Sequence, residues 1–219
     1  MKRLLYLNPI LFTVIKSSIY GSILIGIWYL MVLDSSSDPA KGKFGELSYT
    51  EIAQEVFLLL LCIVYVIIAY KFPKVKGLAL AFLGVYLSAL AREYNNYFHT
   101  WFSGMWQTIV IVILLVTTYL VNKNRLTLLK PLRKFVDTPS FGLTLCGILI
   151  VLIFSRLYGL HTIWFNILNA DLTGSYRWIK NAAEEGTELL GYSFLFFGAI
   201  DYFFYNHRKQ LIKKNRDII

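Results

Sequence analysis

Acidic, basic and imidazole side chains recur at one end of several apolar segments, where they could together hold a ligand. Carboxylates and imidazoles bind divalent metals, and an arginine binds carboxylate or phosphate through two parallel hydrogen bonds. The spacing of these side chains predicts an outward-facing polar and acidic pocket for a small polar ligand or a lipid headgroup. Its candidate residues are Glu51, Glu55, Arg92, Glu93, Asn96, His99, Arg156, His161, Glu184 and Glu188.

Two glutamate pairs, Glu51 with Glu55 and Glu184 with Glu188, place carboxylates one helical turn apart, and Glu185 is predicted to turn away from them. Like charges at this spacing repel, and glutamine would suit a purely structural helix better. The pairs therefore favour a divalent metal or a titrating carboxylate over pure scaffolding. The candidate metal ligands are Glu55, His99, Glu184 and Glu188. Neither His99 nor His161 belongs to a His-Glu-x-x-His motif, and a lone histidine is more often an interfacial hydrogen-bonding group than a metal ligand.

The charge-free runs around the arginines are short for a membrane. Val56–Tyr70 and Gly77–Ala91 each hold 15 residues, which is about 22 Å of helix against a hydrocarbon core of ~30 Å. Charged side chains drawn into the apolar region are costly unless they pair. We therefore expect Arg92 and Arg156 each to contact a carboxylate from another helix.

Composition assigns the chain to the polytopic membrane proteins. Of its 219 residues, 57% are hydrophobic and 16% are charged, and the mean hydropathy is +0.56. These values predict an all-α fold, a bundle of six transmembrane helices forming a single domain over residues 1–219. The predicted spans are about Ser17–Leu33, Tyr49–Tyr70, Gly77–Tyr97, Met105–Val121, Thr138–Tyr158 and Ile179–Tyr205.

Basic residues cluster in alternate connectors and at both termini, which predicts that both termini lie in the cytoplasm. The formal net charge of +9 follows from these flanking residues, so the predicted partner is the lipid bilayer, with its anionic headgroups, and not nucleic acid. The first apolar segment is predicted to be an uncleaved span. The Asp34–Pro39 stretch, rich in serine, is predicted to be a flexible outer loop.

Thr138–Gly159 (TPSFGLTLCGILIVLIFSRLYG) and Trp178–Tyr192 (WIKNAAEEGTELLGY) resemble a family of bacterial multi-pass inner-membrane proteins with no assigned activity. With the block from Arg92 to His99, the resemblance covers about the last two thirds of the chain. It implies the bacterial cytoplasmic (inner) membrane and supplies no mechanism. The Glu184–Glu185 pair is similar to the EExxxR motif of CAAX-type intramembrane proteases, although Leu189 stands at the arginine position.

Three classes of function remain open besides simple ligand binding. An intramembrane hydrolase would use a metal to activate water, with the metal held by carboxylate and histidine. A small transporter would use the same polar residues as a substrate or proton site. A membrane scaffold would use them for helix packing alone. The sequence therefore does not decide whether the chain is an enzyme.

Overall fold

The chain folds almost entirely into helices. The computed structural model describes residues 9–37, 44–45, 47–95, 104–168 and 175–216, and no strand occurs among them. The predicted all-α class is confirmed. The helices are α1 (Pro9–Ser35), α2 (Tyr49–Lys71), α3 (Lys76–Glu93), α4 (Met105–Lys123), α5 (Leu129–Val136), α6 (Pro139–Leu149), α7 (Ser155–Tyr158), α8 (His161–Leu168) and α9 (Ser175–Arg216), with 3₁₀ turns at Pro73–Val75 and Arg125–Thr127 and a π-helical turn at Ile150–Phe154.

Among the described residues, five helical segments are long and apolar enough to cross a membrane. They are Ile10–Ser35, Tyr49–Lys71, Pro73–Glu93, Met105–Lys123 and Pro139–Tyr158. The predicted sixth span, Ile179–Tyr205, lies within α9 but is not among these five. Its status as a span therefore stays a prediction.

The boundaries differ from the predictions at both ends of the first segment. Helix α1 begins at Pro9 and ends at Ser35, whereas the charge-free run starts only after Lys16. The Lys16 ammonium lies 5.7 Å from the centre of the Tyr20 ring, a cation–π contact one turn along the helix that accommodates the charge. The loop predicted for Asp34–Pro39 is wrong at its first residues, because Asp34 and Ser35 form the last turn of α1 and Asp34 is only 2% exposed.

The described helices group into two compact units. Unit 1 comprises Met1–Gln54, Cys146–Ser193 and Arg208–Ile219, and unit 2 comprises Glu55–Leu145 and Phe194–His207. Each unit therefore combines segments that are distant in sequence, and helices α2, α6 and α9 contribute residues to both.

Unit 2 is held together by aromatic rings and by close helix contacts. The Tyr65 ring lies 5.0 Å from Phe82 and 5.4 Å from Tyr86, centre to centre. Helices α3 and α4 approach closely at Gly84, where an added Cβ would lie 2.4 Å from Thr117 Cγ2. Helices in a membrane associate through close van der Waals packing, because no hydrophobic driving force acts between them, and small residues permit that close approach.

Unit 1 packs the first half of α9 against the π-helical turn. An added Cβ at Gly191 would lie 2.5 Å from Val151 Cγ2 and 3.1 Å from the Gly147 carbonyl oxygen. A Cβ at Gly186 would lie 2.2 Å from the Met31 methyl group on α1. Glycines on α9 thus bring α1 and the π turn close to the polar residues at the start of α9.

Candidate functional site

Four carboxylates and two cationic groups meet in unit 1, at the start of α9. We call this set the glutamate cluster, defined as Glu51, Glu184, Glu185 and Glu188 with Arg156 and Lys180. Three elements supply them: the first turns of α2, the helix α7, and the first half of α9.

Arg156 on α7 forms ion pairs with two glutamates of α9. Its Nη1 lies 3.2 Å from Glu184 Oε1, and its Nη2 donates a short hydrogen bond to Glu188 Oε1. The Glu188 side chain is 5% exposed and the Arg156 side chain 48% exposed, so the pair runs from the interior of unit 1 to its surface. The predicted contact between Arg156 and a carboxylate of another helix is confirmed.

The π-helical turn sets the direction in which Arg156 points. A π turn adds one residue to a helical turn, and an added residue rotates the rest of the helix by about 100°. The next residue, Ser155, is fully buried, and its hydroxyl lies 2.6 Å from the Val151 carbonyl oxygen and 3.3 Å from Glu188 Oε1. The turn therefore directs Ser155 and Arg156 together at Glu188.

Glu184 is fixed on two further sides. Lys180, one turn earlier on α9, places its ammonium 2.8 Å from Glu184 Oε2. Gly159, just after α7, lies against the same carboxylate, and an added Cβ there would come within 2.7 Å of it. A side chain at position 159 would require the Glu184 carboxylate to shift.

Glu185 was predicted to turn away from the cluster, and this is wrong. The buried Gln54 of α2 donates through Nε2 to the Glu185 main-chain oxygen at 3.0 Å and to its Oε2 at 2.9 Å. Gln54 Oε1 is buried and has no hydrogen-bond partner among the described residues. Glu185 also lies within electrostatic range of Glu188, Glu51 and Glu184.

The start of α2, which carries Glu51 and Gln54, is held by two side chains that accept its free N–H groups. Asp34 Oδ1 accepts from the Tyr49 N–H and Oδ2 from the Thr50 N–H, both at 2.8 Å, and the Thr50 hydroxyl also donates to Oδ2. Ser48 Oγ accepts from the Glu51 N–H at 3.2 Å. The first N–H groups of a helix have no partner within it, so such caps stabilise and orient its first turn.

Sequence reasoning missed Asp34, Gln54 and Glu185. The Ser-x-x-Glu spacing of Ser48 and Glu51 was the available signal for the helix start, because it matches a capping box. It gave no indication that a carboxylate of α1 would complete the cap.

Four further predicted residues are described, and none of them is among the six residues that define the cluster. Glu55, Arg92 and Glu93 belong to unit 2, where Arg92 forms an ion pair at 2.7 Å with Glu93, its neighbour in the chain. The predicted contact between Arg92 and a carboxylate of another helix stays a prediction. His161 opens α8 in unit 1, exposed and 5.7 Å from the Phe165 ring, centre to centre. The predicted roles of Asn96 and His99 lie outside the described residues.

The predicted metal site is not assembled in the described part of the chain. No three histidine, cysteine, aspartate or glutamate side chains are grouped there so as to hold a metal ion. Glu184 and Glu188 lie in unit 1, Glu55 lies in unit 2, and His99 is not described. A divalent metal as cofactor therefore stays a prediction.

Comparison with known proteins returned no relative. No protein-family model, no curated protein and no solved structure matches the chain. The part of the chain that the structure describes is all-helical and contains five helices long and apolar enough to span a membrane. Its function has to be argued from the glutamate cluster.

Proposed function

We propose that this protein is a multi-pass protein of the bacterial inner membrane whose glutamate cluster faces outward and binds a small polar ligand through a primary ammonium group. Such a group is carried by the headgroup of a lipid such as phosphatidylethanolamine and by soluble amines. The sequence predicts a small polar or headgroup ligand. The chemistry of the cluster narrows this class to ligands that carry a primary ammonium group. The proposed orientation, with both termini in the cytoplasm, rests on the distribution of basic residues.

The observation that carries the proposal is the unsatisfied oxygen of Gln54. Its Oε1 is buried and lacks a hydrogen-bond partner among the described residues, and leaving a buried acceptor unsatisfied costs about 1–3 kcal/mol. The neighbouring functional groups on α9 are carboxylates, which when ionised accept hydrogen bonds and donate none. A ligand that completes this site must therefore donate hydrogen bonds, and a positive charge suits the carboxylates around Glu185.

A primary ammonium group meets both requirements. It carries three N–H donors and one positive charge in a compact volume. Burial against two or more carboxylates stabilises the charged form of the ligand, because opposite charges within a few ångströms favour each other's ionisation. Arg156, which is half-exposed, stands where the phosphate of an ethanolamine lipid could contact the same cluster.

The test uses the full-length protein in nanodiscs of phosphatidylcholine, to which either phosphatidylethanolamine or free ethanolamine is added. Binding to the folded state raises the unfolding midpoint. We expect a rise with the ethanolamine lipid, and a rise with free ethanolamine as well if the ammonium group alone suffices. Gln54→Leu should reduce that rise, whereas Glu93→Gln, which removes a carboxylate outside the cluster, should preserve it.

Equal unfolding midpoints in all three conditions, or an equal rise in wild type and Gln54→Leu, would overturn the proposal. A rise produced only by a divalent cation, and lost in Glu184→Gln, would instead favour the metal-dependent hydrolase. Loss of stability in both Gln54→Leu and Glu185→Gln, with no response of the wild-type protein to either ligand, would leave scaffolding as the better account.

A further inference from the structure

The connector between α4 and α6 contains an amphipathic helix that the proposed ligand site does not explain. This interfacial segment, defined as Arg125–Val136, comprises the 3₁₀ turn Arg125–Thr127 and helix α5. It lies within unit 2 and was not predicted as an element. Four cationic residues and six apolar ones are interspersed along it.

One side of the segment is fixed to the core of unit 2. Phe135 is 2% exposed, and its ring lies 5.3 Å from Phe82 and 4.9 Å from Tyr202, centre to centre and edge to face. At the other end, Thr127 Oγ1 accepts a 2.8 Å hydrogen bond from the Gly77 N–H. These two contacts hold the segment in one orientation. The side opposite to them remains uncovered.

The uncovered side has two different sectors. At about 100° per residue, the residues of α5 divide into three sectors around the helix axis. Pro131 and Phe135 form the buried sector, Leu129, Leu132 and Val136 form the next, and Lys130, Arg133 and Lys134 form the third. An apolar sector therefore runs alongside a basic one, both exposed.

The exposure of the apolar sector is large. Leu129 is 64% exposed, Val136 47%, and Leu126, in the preceding turn, 85%. Side chains of this kind gain about 25 cal/mol for each Å² removed from water. A helix with exposed leucines beside lysine and arginine is typical of one that lies in the membrane interface, with its apolar sector among acyl chains and its cations at headgroup phosphates.

We propose that the interfacial segment is a binding site for anionic phospholipid, distinct from the glutamate cluster. Leu126, Leu129 and Val136 enter the acyl region, while Lys130, Arg133 and Lys134 contact the headgroup phosphates. Charge complementarity selects this occupant, because the exposed charges of α5 are all positive. The inference rests on the proposed membrane location. The segment connects two of the candidate membrane spans, Met105–Lys123 and Pro139–Tyr158.

The number of cations on α5 sets the expected contribution of charge to the lipid affinity. Each lysine or arginine near an anionic membrane surface contributes about fivefold in affinity. Loss of the three cations of α5 should therefore lower the affinity for phosphatidylglycerol about 100-fold at low salt, and the wild-type affinity should itself fall as salt screens the charges.

The experiment titrates full-length protein in neutral detergent with phosphatidylglycerol and with phosphatidylcholine. The test variant is K130Q/R133Q/K134Q. Its matched control is K209Q/K213Q/K214Q, which removes three cations from the last turns of α9. We expect the test variant to lose the preference for phosphatidylglycerol, the control to keep it, and L126S/L129S to bind more weakly without any change of charge.

Equal losses in test and control variants would overturn the inference, as would equal affinity for the two lipids or displacement of the lipid by inorganic phosphate at matched concentration. If the test variant does not fold, the salt dependence of the wild-type protein and the L126S/L129S variant decide the outcome. Carbonate extraction separates the two proposals: a wild-type chain released from membranes refutes the membrane location, whereas an embedded chain without lipid preference refutes this site alone.

Discussion

Asp34 joins α1 to the start of α2, and its removal should be among the most destabilising single changes in unit 1. Its carboxylate is 2% exposed and accepts from the Tyr49 N–H, the Thr50 N–H and the Thr50 hydroxyl. Asp34→Ala leaves these three donors without their acceptor, and the two donors of Thr50 are buried. Because it also removes a negative charge from a helix N-terminus, the loss includes the favourable interaction with the helix dipole.

The magnitude follows from the number of donors. Each buried group that loses its partner costs about 1–3 kcal/mol, and such costs are not additive within one network. We therefore expect Asp34→Ala to lower the free energy of unfolding by about 3 kcal/mol, and Asp34→Asn, which keeps one acceptor oxygen, by about half as much. Ser48 continues to cap the third N–H in both variants.

The assay is reversible unfolding of full-length protein in detergent micelles by added denaturing detergent, followed by circular dichroism. Asp137→Ala provides the control, because Asp137 is an exposed carboxylate at the end of α5 in unit 2. If Asp34→Ala unfolds within about 0.5 kcal/mol of wild type, as a surface substitution would, the buried carboxylate does not hold α2 and the reasoning is refuted.

Three further outcomes follow from the structure. Arg156→Met should destabilise by about 2 kcal/mol in the same assay, because it strands the buried Glu188, and adding Glu188→Met should recover part of that loss; a double variant no more stable than Arg156→Met would contradict this. Gly84→Ala should cost about 1–3 kcal/mol through its contact with Thr117, and Thr117→Ala should relieve it in part; no loss, or no relief, would show that α3 and α4 do not meet there. A reporter protein inserted within Lys123–Lys134 should report a cytoplasmic location for this connector. A signal from the periplasm would contradict the proposed orientation.

The apolar segments were the predictable part of the fold. Charge-free runs with basic ends identified the five helices that can cross a membrane, because the cost of burying charge limits where such runs can end. Helix α1 extends beyond its run because Lys16 lies over the Tyr20 ring. Helix α5 was missed because a short helix with a proline at its third position and three basic residues has the composition of a loop.

The candidate site was predictable only along single helices. The pairing of Arg156 with the first half of α9 followed from charge and depth. Glu185 was assigned to the wrong side because the prediction assumed one buried face on α9, whereas Glu188 contacts α7 and Glu185 contacts Gln54 of α2. Asp34 was missed because its interaction depends on how two helices meet, which local composition does not encode.

The π-helical turn at Ile150–Phe154 makes the cluster depend on a count of residues as well as on their identities. A deletion of one residue there would leave every side chain of the cluster in the sequence and the helix uninterrupted, yet the guanidinium of Arg156 would leave Glu188. In an alignment of related chains, a one-residue gap in this turn should therefore be treated as equivalent to a substitution of the arginine. Conversely, a relative that keeps the length of the turn can vary its aliphatic residues widely and still present the same pair of charges.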